Sequence, residues 1–282
     1  MDNRLQKPSL STTALKAVAA CAMLLDHIAY FFDFTGRIPG WFGMVGRIAA
    51  PLFLFCAAEG FAHTRSRARY FLRIYLLGAL MGAALFFMRF GGIAVRADRF
   101  YPQNSFLMTL TLLLVIWQGI DCLRARRWLP GLLLVLGPIA WPYVANVLVM
   151  TVPRLGSPLG FLCYSFLPIW NITGDTSLPV LVTGVLLYLL RDHRRVQACA
   201  AALWEIGYHF LFVGSMAMRL PGFAPVQMLT VYYEWLGAFA ALPMLCYNGE
   251  RGSGHKALFY AFYPGHVYAL YALSCVLCAM TM

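Results

Sequence analysis

Residues Met23 to Phe32 read MLLDHIAYFF. Asp26 and His27 stand inside an apolar run that starts near residue 12 and continues to about residue 34, roughly the 20 or more residues a helix needs to cross a bilayer. The surrounding solvent decides what those two side chains are worth. Of 282 residues, 61% are hydrophobic and 12% charged, against about 25% charged in a soluble domain. Water is therefore not the main solvent, and an acid and an imidazole at this depth are functional candidates by default.

Working outward, apolar runs recur along the chain. Read by the length of roughly 20 residues that a bilayer demands, they give about nine spans, near 12–34, 47–64, 70–88, 104–122, 128–152, 177–190, 196–218, 225–247 and 257–280. The expected fold is an all-α polytopic integral membrane helix bundle, with a cytoplasmic tail over residues 1–11 and one transmembrane domain over 12–282. The stretch 155–176 is broken by Gly and Pro and reads as a half-inserted hairpin. With the N-terminus inside, the inner segments carry most of the 22 Lys and Arg, among them Arg65, Arg67, Arg124, Arg194 and Arg251. That bias predicts N-in, C-out in a bacterial inner membrane.

The net charge of +11 follows from those basic loops, which set topology and touch anionic membrane lipids. It is scattered, not gathered into a stripe, so no nucleic-acid partner is expected. A cleaved signal is not expected either. Val18-Ala19-Ala20-Cys21 resembles a lipoprotein site, but Lys16 leaves too short an apolar region before it. Cys275 and Cys278 have the spacing of a redox pair near the expected outer end of the last span. Cysteine in such a helix otherwise serves as a small apolar residue.

Four acids fall well inside spans: Asp26, Glu59, Glu205 and Glu234. Glu205 and Glu234 are equally readable as structural pairing between helices. Asp26 and His27 are chain neighbours, about 100° apart on a helix, so each needs a partner elsewhere. Arg47 opens the second span at similar depth, which makes an Asp26–Arg47 ion pair available and turns His27 toward a lined path. Glu59 and His63 share a helix face at i,i+4, so the carboxylate can orient the ring, and Glu205 and His209 repeat that spacing. No HExxH pattern or third ligand accompanies either pair, and no metal is expected. At the inner end of the eighth span, YNGERG (Tyr247 to Gly252) supplies a tight turn with Asn248 and Arg251. In the last span, FYAFYPGH carries Pro264 and His266. Counting about 1.5 Å per residue puts His27 roughly 22 Å from the inner face and His266 roughly 15 Å. A polar route from the cytosol would then run from Glu59, His63, Asn248 and Arg251 through His266 to His27, Asp26 and Arg47.

Four blocks, LKAVAACAMLLDHIAYFF, GRIAAPLFLFCAAEGFAHT, YNGERG and FYAFYPGHVYAL, closely resemble the TraX family of membrane proteins. That family is named for a conjugation protein that acetylates the amino terminus of F-type pilin. Departures are Ala29 in place of an expected glycine, Ala50 in place of phenylalanine, a loose Asn104-Ser105-Phe106 and a reduced Asp175. They leave residues 90–175 the least familiar part. More distantly, a first-span histidine before a PLFLF second span is similar to acyltransferase-3 and heparan-glucosaminide acetyltransferase architectures. The resemblance implies an acetyltransferase that reads acetyl-CoA from the cytosol and acetylates a pilin or another envelope acceptor. It implies catalytic roles for His27, Asp26, His266, Glu59 and His63, and cofactor binding through Arg47, Asn248 and Arg251. A proton-coupled transporter or permease, or a non-enzymatic pilus or envelope assembly protein, is the alternative the same buried groups allow.

Overall fold

A computed structural model describes residues 9–171, 173–253 and 256–281. The first eight residues of the expected tail, with Arg4 and Lys7, lie outside the described residues. Helices α1 (Thr12–Phe32), α2 (Trp41–Gly46), α3 (Ala49–Ala62), α4 (Arg67–Gly91), α5 (Phe106–Arg124) and α6 (Trp128–Thr151) come first. They are followed by α7 (Gly156–Ser165), α8 (Leu178–Leu189), α9 (Arg194–Glu205), α10 (Gly214–Ala217), α11 (Gln227–Thr230), α12 (Ala241–Leu245) and α13 (Lys256–Thr281). Among the described residues there is no strand, only an isolated parallel bridge between Leu10 and Tyr247.

Seven helical stretches are long and apolar enough to cross a membrane: Thr12–Thr35, Trp41–Ala62, Arg67–Gly91, Phe106–Arg124, Trp128–Thr151, Arg194–Ala217 and Leu258–Thr281. The chain is a multi-pass membrane protein. Two of the nine expected spans take another form. The run 177–190 is helical only over the 12 residues of α8, about 18 Å of rise against a hydrocarbon core of about 30 Å. The run 225–247 is not one helix but α11, a 3-10 stretch Tyr233–Ala240 and α12. Pro225 and Pro243 lack backbone donors, and tertiary contacts of Tyr233 and Gly237 hold the tighter winding between them. The broken stretch 155–176 contains α7, 10 residues long, and a 3-10 turn Gly174–Thr176. A further irregularity is a π-helix, Ile206–Val213, joining α9 to α10.

The chain divides into two compact units, Met1–Gly60 with Leu186–His266, and Phe61–Val185 with Val267–Met282. The second has an interior centred on α5, where 78% of the apolar window is buried, against 6% in α6. Trp117, fully buried on α5, donates its indole N–H to the carbonyl of Gly184 at 3.0 Å. Gly82 on α4 accepts the backbone of α7 at close range, since a Cβ there would meet the Tyr164 carbonyl carbon at 2.9 Å. Leu132, Leu133, Leu136 and Val147 on α6 are exposed, as a lipid-facing surface requires. In the first unit α1 packs against α2, and α9 against the 3-10 stretch and α12. Ser11 caps α1, its hydroxyl accepting from the Ala14 N–H at 3.3 Å.

Candidate functional site

The first unit holds most of the residues singled out in the sequence. His27, on α1, is buried, and its Nδ1 lies 2.6 Å from Nε2 of His266 on α13. The ring planes differ by 11° and the centroids are 4.8 Å apart. With so short a nitrogen separation, that centroid distance puts the rings side by side, the contact running edge to edge along the lone-pair direction. His266 Nδ1 is in turn 2.6 Å from the Phe262 carbonyl oxygen. A carbonyl only accepts, so His266 Nδ1 carries the proton. In the uncharged pair His266 Nε2 is then the acceptor, His27 Nδ1 the donor, and His27 Nε2 the unprotonated nitrogen. Phe262 also lies against the His266 ring, centroids 4.3 Å apart. The two histidines were expected about 7 Å apart in depth. Counting residues from span ends ignores helix tilt and side-chain reach, and the rings meet.

Asp26, one residue back, faces α2 and forms an ion pair with Arg47 Nη2. Arg47 sits at the break between α2 and α3, with its Nε donating to the Gly43 carbonyl at 3.1 Å. The stretch Trp41 to Gly46 falls between the first two expected spans and is helix α2 in the structure, and its glycines let it pack closely. A Cβ at Gly46 would overlap the Asp26 side chain, with the carboxylate carbon at 2.7 Å. One at Gly43 would lie 2.6 Å from the Tyr233 hydroxyl oxygen. Tyr233 places its ring 5.7 Å from the Arg47 guanidinium carbon. Gly237, four residues on, lies against both the Arg47 carbonyl (3.4 Å from a built Cβ) and the Glu205 carboxylate (3.3 Å). Glu205 is buried and its Oε2 is 3.2 Å from His209 Nδ1, so that i,i+4 pair forms at the α9–π junction. The sequence contained Tyr233 and Gly237, but an uninterrupted helix over 225–247 would have pointed them elsewhere.

A second cluster surrounds the start of α1, about 22 Å along the helix from His27. The YNGERG turn docks there through its backbone: Leu10 N–H donates to Cys246 O at 2.8 Å, Asn248 N–H to Leu10 O at 3.0 Å, and Thr12 N–H to Glu250 O at 2.8 Å. Asn248 holds the turn, its amide donating to Ser9 Oγ at 2.9 Å and its carbonyl accepting from the Glu250 N–H at 2.8 Å. The Arg251 side chain is exposed while its carbonyl accepts from Thr13 Oγ1 at 2.9 Å. Arg194 joins the cluster: it lies 3.9 Å from Glu59 Oε2, donates to Tyr247 O at 2.9 Å and covers the Tyr247 ring at 4.3 Å. Burial pushes the Tyr247 phenol above its ordinary range. Glu59 is buried, whereas His63 follows the end of α3 and is exposed. Arg194 had counted only as a topology marker, and its place beside a buried acid carries no local sequence signal. Among the described residues no three His, Cys, Asp or Glu side chains form a metal-holding group.

Residues 11–150 match the model of the family described as TraX protein. That segment includes Asp26, His27, Arg47, Glu59 and His63 and runs through most of residues 90–175, where the resemblance is weakest. Asn248, Arg251 and His266 lie beyond it. The chain is also 27% identical over 269 residues to the probable fimbrial assembly protein FimC, serogroup H1, of Dichelobacter nodosus, with 91% of this chain and 93% of that protein aligned. No solved structure matches.

Proposed function

We propose that this membrane protein is an acetyltransferase that takes the acetyl group from cytosolic acetyl-CoA and places it on an amine of an envelope acceptor, with the amino terminus of a pilin as the first candidate. The observation that carries the reading is the His27–His266 contact, buried among membrane helices beside the Asp26–Arg47 pair. The match to the TraX model and a relative named for fimbrial assembly support the choice of acceptor.

In this mechanism His27 Nε2 takes a proton from the acceptor amine as its nitrogen attacks the thioester carbonyl. The carbon–sulfur bond then breaks and the proton passes to the departing CoA sulfur, leaving an amide and free CoA. His266 is a positioning residue: its Nε2 accepts from His27 Nδ1 and stabilises the imidazolium that forms. Asp26 is held by Arg47, whose Nη2 and Nε are engaged by Asp26 and Gly43, so Arg47 is assigned a positioning role in place of cofactor binding. The exposed Arg251, on the turn stapled to the start of α1, is the cation suited to the CoA phosphates. Asn248 supports it by fixing the turn. The distance of about 22 Å along α1 suits a donor whose reactive end is carried on a long arm.

The test is acetyl-CoA turnover by the purified chain in proteoliposomes. Release of free CoA by the native chain, lost in His27→Ala and strongly reduced in His266→Ala, is the expected result. No interaction with acetyl-CoA at millimolar concentration sinks the reading and favours a non-enzymatic assembly role.

A further inference from the structure

We propose that Cys275 and Cys278 form a dithiol of the disulfide-exchange class, with Cys275 the attacking sulfur, Cys278 the resolving one and a soluble disulfide as the oxidant. Both lie on α13 within the second unit, at i,i+3. That spacing puts Cα atoms within the range of about 4.4–6.8 Å that a disulfide spans. The Cβ atoms, about 5–6 Å apart on a regular helix, come to the roughly 3.5–4.5 Å of a disulfide by a local adjustment of the last turns of α13. Burial differs between them in the direction the chemistry needs: Cys275 is partly exposed, whereas Cys278 is 1% exposed. An outside disulfide can reach the first and only the first sulfur can reach the second.

The surroundings are built, not incidental. Arg96, in the loop after α4, is 5% exposed and its Nη1 donates to Ser274 Oγ at 3.2 Å, one residue from Cys275. Its Nε and Nη2 meet Asp98 at 2.9 and 2.7 Å, and its guanidinium lies 4.2 Å from the Phe100 ring. Both sulfurs are within electrostatic reach of that guanidinium, which supplies the cation that negative charge developing on sulfur requires. Asp98, bound to it through both carboxylate oxygens, offsets part of that charge. Tyr271, one turn before Cys275 and in hydrogen-bonding contact with its thiol, accepts from the Arg96 N–H at 3.0 Å and donates to the loop carbonyls of Ala94 and Phe100 at 2.8 and 3.0 Å. The loop bends through left-handed Ala94 (φ 54°) and Arg99 (φ 66°) to reach these contacts.

The exchange balances without further reagents. The Cys275 thiolate attacks one sulfur of the oxidant, breaking its S–S bond, and one oxidant thiolate leaves and takes up the proton lost by Cys275. Cys278, deprotonated in turn, attacks the mixed disulfide. The second oxidant thiol leaves with that proton, two electrons having passed from the cysteines to the oxidant.

The experiment equilibrates the full-length protein in proteoliposomes with glutathione and glutathione disulfide, quenches with acid, alkylates and weighs the peptide containing both cysteines. A Cys275–Cys278 disulfide whose fraction follows the redox buffer is expected. Cys278→Ser should trap a glutathionyl adduct on Cys275, formed at least about threefold faster than on the exposed Cys21 and Cys199, and Arg96→Ala should remove that advantage. A peptide that stays fully reduced in every buffer, or a Cys275 no faster than Cys21 in Cys278→Ser, overturns the proposal. The readout does not depend on acetyl transfer.

Discussion

The two units place their polar groups by opposite rules. In the second, charges sit where helices end. Arg67 meets Asp121 at 2.6 Å at the start of α4 and the end of α5, Arg96 meets Asp98 in a loop, and the Ser105 N–H donates to Asp175 at 2.9 Å at the start of α5. Between them the buried polar side chains are hydroxyls, such as Thr109, Thr111 and Thr183, and not charges. In the first unit, the His27–His266 contact, the Asp26–Arg47 pair and the Glu205–His209 pair all lie within membrane-crossing stretches. Where polar groups collect at ends they finish a scaffold. Polar groups held mid-span are costly and are retained for what they do. Glycine use follows the same division: Gly82 and Gly184 let apolar parts close up, while Gly43, Gly46 and Gly237 bring backbone against Tyr233, Asp26 and Glu205.

The sharpest way to break this contrast is to remove one side from each unit. His27→Ala should lower acetyl transfer by about 10³-fold, the scale of a general base, with a thermal midpoint close to the native one. Trp117→Ala should do the reverse, costing about 3–5 kcal/mol of stability while the rate per folded molecule is kept. Denaturation in detergent micelles alongside turnover separates the two. If Trp117→Ala abolished turnover in fully folded protein, the division between scaffold and chemistry would fail.

Arg47→Ala should cost roughly 3 kcal/mol, because it strands Asp26 as an uncompensated charge. Asp26→Asn with Arg47→Gln should cost less than the sum of the singles, and a double-mutant cycle measures that coupling. Additive effects would mean the pair contributes nothing as a pair. The smallest effect belongs to the scaffold. The hydrogen bond from Arg96, with burial opposing it, holds the Asp98 carboxyl below its ordinary range. A lowered folded-state value stabilises above the unfolded value, about 3.9, and that contribution fades as pH falls through the folded one. Stability below about pH 4 should therefore drop less steeply in Asp98→Asn than in the native chain, and identical slopes would show the partly exposed pair to be inert.

Much of this was legible in the sequence because depth in a bilayer can be counted. Asp26 and Arg47 could be paired from their positions in adjacent spans, and the pairing is present. His27 and His266 could be put on one path, though not in contact. What escaped depends on backbone that departs from regular α-helix. The α2 segment lies between two expected spans, the 3-10 winding of Tyr233–Ala240 turned Tyr233 and Gly237 to Arg47, and the π-helix after Glu205 left no pattern of spacing to read. Arg194 escaped for another reason. A basic residue near a span end has an ordinary use in setting topology, so its approach to Glu59 could be found only in three dimensions.

The stapling of Leu10, Thr12 and Thr13 to residues 246–253 also has a consequence in time. His27 and His266 are 239 residues apart. At about 5–20 residues per second, roughly ten to fifty seconds of synthesis separate the two. During that interval Asp26 can already find Arg47, but His27 waits without its ring partner and the start of α1 without its strap. The nascent chain is thus inserted long before it is competent, and activity should switch on only as the last helix emerges.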